Sequence, residues 1–232
     1  MDRWVVCLKH GQKYDYTYVN KLYSMVKRHT TVPFNFACIT ESPINLHKDI
    51  KILPLPKVHN VAGWWYKPWV FSKDLPLDGN ILFLDLDIVI IKNIDELWNY
   101  NNDSFTIIRD FNRSTIKDWG KFNSSIFKFP KGSYSFVWEN FIKDTSIMKR
   151  LHGDQDWIFS QIKGNFKFWP DEWIQSYKWE VRNRQDVVRI ENKRIFKNVA
   201  NPIIHPETKI LVFHGDPKPS EVQDPIIVDN WR

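Results

Sequence analysis

Two aspartates one residue apart, Asp85-Leu86-Asp87, follow directly on the apolar run Asn80–Leu84. The chain has 19 aspartates in 232 residues, so roughly 1.5 such triplets are expected by chance, and two occur. The triplet alone therefore says nothing; its placement does. If Asn80–Leu84 is a buried strand, both carboxylates stand at the carboxyl edge of a sheet, where ligands bind in open α/β folds. On a continued strand they point to one side and offer two hard oxygen donors to a divalent cation that bridges phosphates. A plain polar strand exit is the alternative.

Two further groups have chemical content. His214-Gly215-Asp216-Pro217-Lys218-Pro219 also follows an apolar run. An imidazole beside two carboxylates favours Mn²⁺ over Mg²⁺. Gly215 permits close backbone approach, and Lys218 supplies a cation for a phosphate. A structural histidine before a turn is the competing account. In Gly153-Asp154-Gln155-Asp156-Trp157, a carboxylate and an amide at a helix start suit hydrogen bonds to sugar hydroxyls, and N-capping by Asp154 is the competing account.

The elements that must position these groups read as α/β. Arg3–Leu8, Phe34–Ile39, Ile50–Leu53 and Asn80–Leu84 read as strands. Asp15 caps a helix with Val19, Leu22, Tyr23 and Val26 on one face, and Gly63–Lys73 reads as a helical turn or two despite Pro68. Farther on, Phe105–Ile108, Ser125–Phe129 and Ile210–Phe213 read as strands, and Ser133–Lys143 and Asp154–Ile162 as helices. Strands alternating with helices predict a mostly parallel central sheet flanked by helices. The expected organisation is one domain over 1–232, with a nucleotide-binding half (1–90) ending in the D-x-D and an acceptor and sugar half (91–232). With 43% hydrophobic and 26% charged residues the composition is globular, which excludes a disordered chain. No apolar run approaches the ~20 residues of a membrane span, and the opening Met1-Asp2-Arg3-Trp4 has no signal-peptide core. A soluble, cytoplasmic protein is the expectation, in a bacterium or a virus-infected cell. Cys7 and Cys38, both in apolar stretches, read as buried free thiols.

Taken in order, the motifs resemble GT-A glycosyltransferases of the glycogenin and bacterial lipooligosaccharide galactosyltransferase type. The resemblance spans most of the chain: an opening strand, the apolar strand into D-x-D with Asn93-Ile94-Asp95-Glu96-Leu97 after it, Phe122-Asn123-Ser124-Ser125, Asp154-Gln155, and the closing His-Gly-x-x-Lys-Pro. Tyr18-Val19-Asn20-Lys21-Leu22-Tyr23 and Trp64-Trp65-Tyr66-Lys67 bring it closest to a group of bacterial and phage glycosyltransferases. The resemblance implies a UDP-sugar donor and Mn²⁺ (or Mg²⁺) held by Asp85, Asp87 and His214. It implies Lys218 at the diphosphate, Lys67 at the phosphate or the sugar, Asp85, Asn123 and Gly215 at the donor, Cys7 and Leu8 at the uracil, and Tyr14 stacking there. It places Asp154 and Gln155 on the reacting face, with Asp154 or Asp156 orienting or deprotonating the acceptor, and it implies retention of anomeric configuration. Here the family's small Asn-Ala-Gly is Asn123-Ser124-Ser125, and its Trp after Lys-Pro is Ser220.

The net charge of +6 falls in two zones: residues 1–35 carry six bases and two acids, and residues 176–197 seven bases and three acids. In and just before the second zone, Trp169, Trp173 and Trp179 interleave with Lys167, Lys178, Arg182 and Arg184. Aromatic platforms stack on sugars and on nucleobases alike. Two acceptors follow: a glycan or lipid-linked saccharide, and DNA with hydroxymethylated bases, whose backbone the basic zone would meet. A nucleotide-sugar or glycan binding module without catalysis is the third reading.

Overall fold

The opening apolar run forms strand β1 (Arg3–Lys9), with Val5, Val6 and Cys7 fully buried. The structure is a computed structural model describing residues 2–101, 104–182, 187–190, 193–196 and 202–232. Helix α1 (Tyr16–Arg28) starts where expected: the Asp15 carboxylate accepts the Thr17 N–H at 2.9 Å. It buries Val19, Leu22, Tyr23 and Val26, joined by Tyr18 and Met25. Then come β2 (Asn35–Thr40), β3 (Lys51–Leu53), a 3₁₀ helix (Gly63–Phe71), β4 (Asn80–Leu84), β5 (Ile88–Ile90), α2 (Asp95–Asn99) and β6 (Thr106–Arg109). The second half holds β7 (Phe122–Pro130), α3 (Phe136–Lys143), α4 (Asp154–Ile162), β8 (Lys167–Phe168), β9 (Ile174–Ser176), a π-helical turn (Tyr177–Val181), β10 (Val187–Ile190), β11 (Lys193–Phe196), β12 (Ile210–Val212) and α5 (Pro225–Asn230).

Among the described residues the main sheet has seven strands in the order β3-β2-β1-β4-β7-β6-β8. Only β7 runs against the others, pairing antiparallel with both β4 and β6. Both faces are covered, which is why β4 reads as an unbroken apolar run. Leu82 and Leu84 enter the core shared with α1, while Ile81 and Phe83 enter the core shared with the 3₁₀ helix, α3 and α4. In that second core Phe127 of β7 stacks on Phe83 (4.9 Å) and Phe71 (5.4 Å). A smaller sheet, β5-β12-β9, lies beyond the end of β4, and β10 pairs with β11.

The expected mostly parallel α/β sheet is therefore present, and the bounds of β4 and α4 match the sequence reading. The expected Ser125–Phe129 strand is longer, taking in Asn123 and Ser124 as well. Neither β5 nor the π-helical turn was expected. Cys7 and Cys38 are free, buried and opposite one another in register across β1 and β2. No helix among the described residues is long and apolar enough to cross a membrane.

Phe127→Ala removes the ring at the centre of this aromatic stack. It should lower stability by about 3–5 kcal/mol, read from urea denaturation; a change below about 1 kcal/mol would show that the stack collapses without cost.

Candidate active site

The chain changes sheets at Asp85-Leu86-Asp87. The Asp85 N–H donates to Ser125 O of β7 at 2.8 Å, so it still follows the main sheet. Two residues on, Asp87 O accepts from Phe213 N at 2.9 Å, at the end of β12 in the small sheet. Leu86 between them is buried in the α1 core. The pair of aspartates thus stands at the seam of the two sheets, at the carboxyl end of β4, and His214 is brought there because it follows β12.

A cavity of about 440 Å³ opens at this seam, and Asp85, Asp87, Asp154, Gln155, His214 and Gly215 line it. Leu8, Tyr14 and Lys67 line it as well. Residues far apart in sequence therefore converge as the motifs implied. Asp154 is the first residue of α4, but Gly153 holds the cap position without a side-chain bond. The Asp154 carboxylate turns inward instead, accepting from Ser124 Oγ at 2.8 Å and lying 3.2 Å from Lys67 Nζ. Gln155 Oε1 accepts the Ser124 N–H at 3.2 Å.

Charge balance governs this cavity. Lys67, 5% exposed, reaches Asp85 at 3.0 Å, Asp154 at 3.2 Å and the carbonyl of Ser124 at 3.2 Å. Burial alone would lower its proton affinity, but the charges of Asp154 and Asp85 override burial and raise it. For Asp85 burial raises the pKa, Lys67 opposes the rise, and Asp87 and Asp154 add to it as like charges. Asp87 Oδ2 accepts from Lys218 Nζ at 2.7 Å and from the Tyr14 hydroxyl at 2.8 Å. Burial, then the Asp87 charge, pushes the Tyr14 phenol up, so it remains a donor. Each carboxylate of the D-x-D is thus paired with a different ammonium, the one at Asp85 being shared with Asp154.

His214 is tightly seated. Its ring stacks on Phe111 at 5.0 Å, meets the edge of Trp179 at 4.5 Å, and has Nε2 2.6 Å from Ser176 Oγ. Asp85, Asp87 and His214 match Mn²⁺ in donor type and share one cavity. As folded, however, the lysines hold the carboxylates, and among the described residues no three His, Cys, Asp or Glu side chains are grouped as a metal site.

Several expected site residues lie elsewhere. Cys7 is fully buried and has no surface for a uracil; it packs in the α1 core, where burial raises its thiol pKa. Asn123 turns its Oδ1 to the Ser125 N–H, and Ser124 and Ser125 line the cavity in its place. Asp156 shares the first turn of α4 but does not line the cavity. Two of the cations expected on an open basic face are engaged within the protein: Lys178 is 3% exposed, and Arg182 donates to Asp224 at 3.1 Å and to the Tyr177 hydroxyl. Trp173 packs on the core and against Tyr100, and Trp179 packs on His214. Arg184 lies outside the described residues.

His10, Gly11, Gln12, Lys13, Gly63, Trp64 and Leu86 also line the cavity without having been expected there. Gly63 has φ +65°, a conformation that glycine tolerates best, and its N–H donates to His10 Nε2 at 2.8 Å. Trp64 next to it is 54% exposed at the cavity wall. The available signal was Ala62-Gly63-Trp64, a glycine before an aromatic pair.

No protein-family model matches the sequence, and no curated protein matches it. Solved structures do. An active-site mutant of LgtC superposes with TM-score 0.62 over 93% of this chain and 89% of that one, at 12% identity. The glycosyltransferase GlyE of Streptococcus pneumoniae superposes at 0.60 over 94% of this chain and 56% of that one, also at 12% identity. Mouse xyloside xylosyltransferase 1 superposes at 0.55 over 93% and 98%, at 15% identity. The fold is GT-A. At these identities the likeness shows the fold alone.

Lys67→Met leaves Asp85 and Asp154 without their shared ammonium and should lower stability by about 3 kcal/mol in urea denaturation. Adding Asp154→Asn should recover part of that loss, a coupling of about 1 kcal/mol or more; strict additivity would show that the two do not act as a pair.

Proposed function

We propose that the chain is a nucleotide-sugar-dependent glycosyltransferase, with a UDP-sugar as donor and a glycan or lipid-linked saccharide hydroxyl as acceptor. The observation that carries this reading is the D-x-D at the sheet seam, each carboxylate matched to a lysine and both sharing one cavity with His214. LgtC, a galactosyltransferase solved with donor and acceptor sugar analogues, supports it through the shared fold.

Asp85, Asp87 and His214 would hold Mn²⁺, or Mg²⁺ with less help from the imidazole. Such a cation supplies Lewis-acid stabilisation of the negative charge that grows on the departing diphosphate. Lys67 and Lys218 stand beside the same carboxylates and serve the same charge, already oriented before the reaction begins. The Tyr14 hydroxyl fixes the Asp87 carboxylate. Asp154 and Gln155 line the wall where the sugar would lie. Gln155, a neutral amide, is a poor nucleophile, so retention would proceed by front-face displacement rather than through a lasting glycosyl-enzyme. The bond from the anomeric carbon to the phosphate oxygen breaks while the bond to the acceptor oxygen forms. Because Asp154 is engaged with Lys67 and Asp156 lies off the cavity, the acceptor proton would pass to the departing diphosphate.

A saccharide acceptor is preferred to DNA because Lys178 and Arg182, two of the three cations expected to meet a phosphate backbone, are taken up inside the protein.

Incubation with Mn²⁺ and a panel of UDP-sugars, with saccharides and hydroxymethylcytosine DNA as competing acceptors, tests the reading directly. Asp87→Ala should reduce transfer by about 100-fold or more while circular dichroism shows the fold retained. Full activity of that variant, with or without EDTA, would remove the metal assignment. His214→Ala should shift the preferred ion from Mn²⁺ toward Mg²⁺, since only oxygen donors remain. An unchanged Mn²⁺/Mg²⁺ activity ratio would show that His214 is not a ligand.

A further inference from the structure

Lys178 belongs to the π-helical turn Tyr177–Val181, yet its side chain runs under the loop that follows β12. Its Nζ donates to Asp216 O at 3.3 Å. A Cβ built on Gly215 would lie 2.9 Å from that Nζ, so only a residue without a side chain lets the ammonium come this close. Gly215 has φ +76° and lines the cavity beside His214. The same turn grips the loop a second time. Ser176 Oγ caps it by accepting the Trp179 N–H at 3.1 Å and lies 2.6 Å from His214 Nε2. Both ends of His214-Gly215-Asp216 are therefore held from behind by one short turn, and the loop's next cation, Lys218, reaches Asp87 in the front.

A lysine this deeply buried is almost always held by partners, and the backbone of the loop after β12 is one of them here. We propose that Lys178 is a positioning residue of the donor-phosphate side of the cavity. It holds the backbone of His214-Gly215-Asp216 and places a buried positive charge directly behind Gly215, where a diphosphate would be bound. This inference rests on reading the cavity as a nucleoside-diphosphate-sugar site. A buried charge acts at close range with little screening by salt, so its effect falls on the phosphates and not on the nucleoside.

The test is titration of the 232-residue chain with UDP, UMP and uridine in Mn²⁺ buffer, followed by calorimetry. Lys178→Met and Lys178→Gln should weaken UDP binding by about 10–100-fold and UMP binding by less, while uridine stays within about twofold of wild type. Lys178→Arg, which keeps the charge, should recover most of the UDP affinity. Equal losses for UDP and uridine would make Lys178 a purely structural residue and overturn the proposal. So would unchanged UDP affinity in the neutral variants, or failure of both to fold by thermal melting. If wild type binds neither UDP nor a UDP-sugar, the reading of the cavity falls first and the proposal with it. Wild-type binding with no Lys178 effect defeats the proposal alone.

Discussion

Three carboxylates, Asp85, Asp87 and Asp154, converge on one partly buried cavity, and their mutual repulsion is the constraint on which the site depends. Like charges this close, away from bulk water, cannot all remain ionised without cations among them. Lys67 meets that need for two of the three, and it can do so only if four separate pieces of chain arrive together. These are the 3₁₀ helix that carries the lysine, the end of β4, Ser124 on β7 and the first residue of α4. Lys218 and Tyr14 settle the third by closing on Asp87 from opposite ends of the sequence. The ion pairs that neutralise the cavity are thus also the ties that assemble it.

On the proposed reading, the same arrangement would let a cavity lined by carboxylates receive an anion. Its ammonium groups are fixed before any ligand arrives, and fixed dipoles and charges need no reorganisation when charge develops. The carboxylates hold the lysines in place and at the same time offer hard oxygens. On the proposed reading, a diphosphate with its cation would enter a site whose three carboxylates already share two ammonium groups, exchanging partners rather than bringing all of its charge into an unprepared low-dielectric space.

The seam between the two sheets makes this geometry possible. Asp85 is bonded to β7 and Asp87 to the residue after β12, so a displacement of either sheet moves one carboxylate relative to the other. At 12% identity to LgtC, most side chains differ while the fold persists. The order of the strands is the shared feature, and the site's chemistry has to be argued from the residues on it.

What the sequence determined by itself is what local pattern can encode. The apolar run of β4 ending in an acid, the Asp15 cap with its helical spacing, and the extent of α4 each depend on neighbours within a few residues. The D-x-D and His-Gly-x-x-Lys-Pro motifs placed the cavity because both follow strands, and strand ends lie on an edge. Direction within the fold was decided only by tertiary structure. Cys7, next to a cavity-lining Leu8, is sealed in the core because alternate residues of a strand face opposite sides of its sheet. Lys178 looked like a surface base beside tryptophans and instead lies under Gly215. Arg182 finds Asp224 more than forty residues away. Charge and aromatic content are legible in a string of letters, but whether a cation meets water, a partner or a ligand depends on contacts between distant segments, which exist only once the chain has folded.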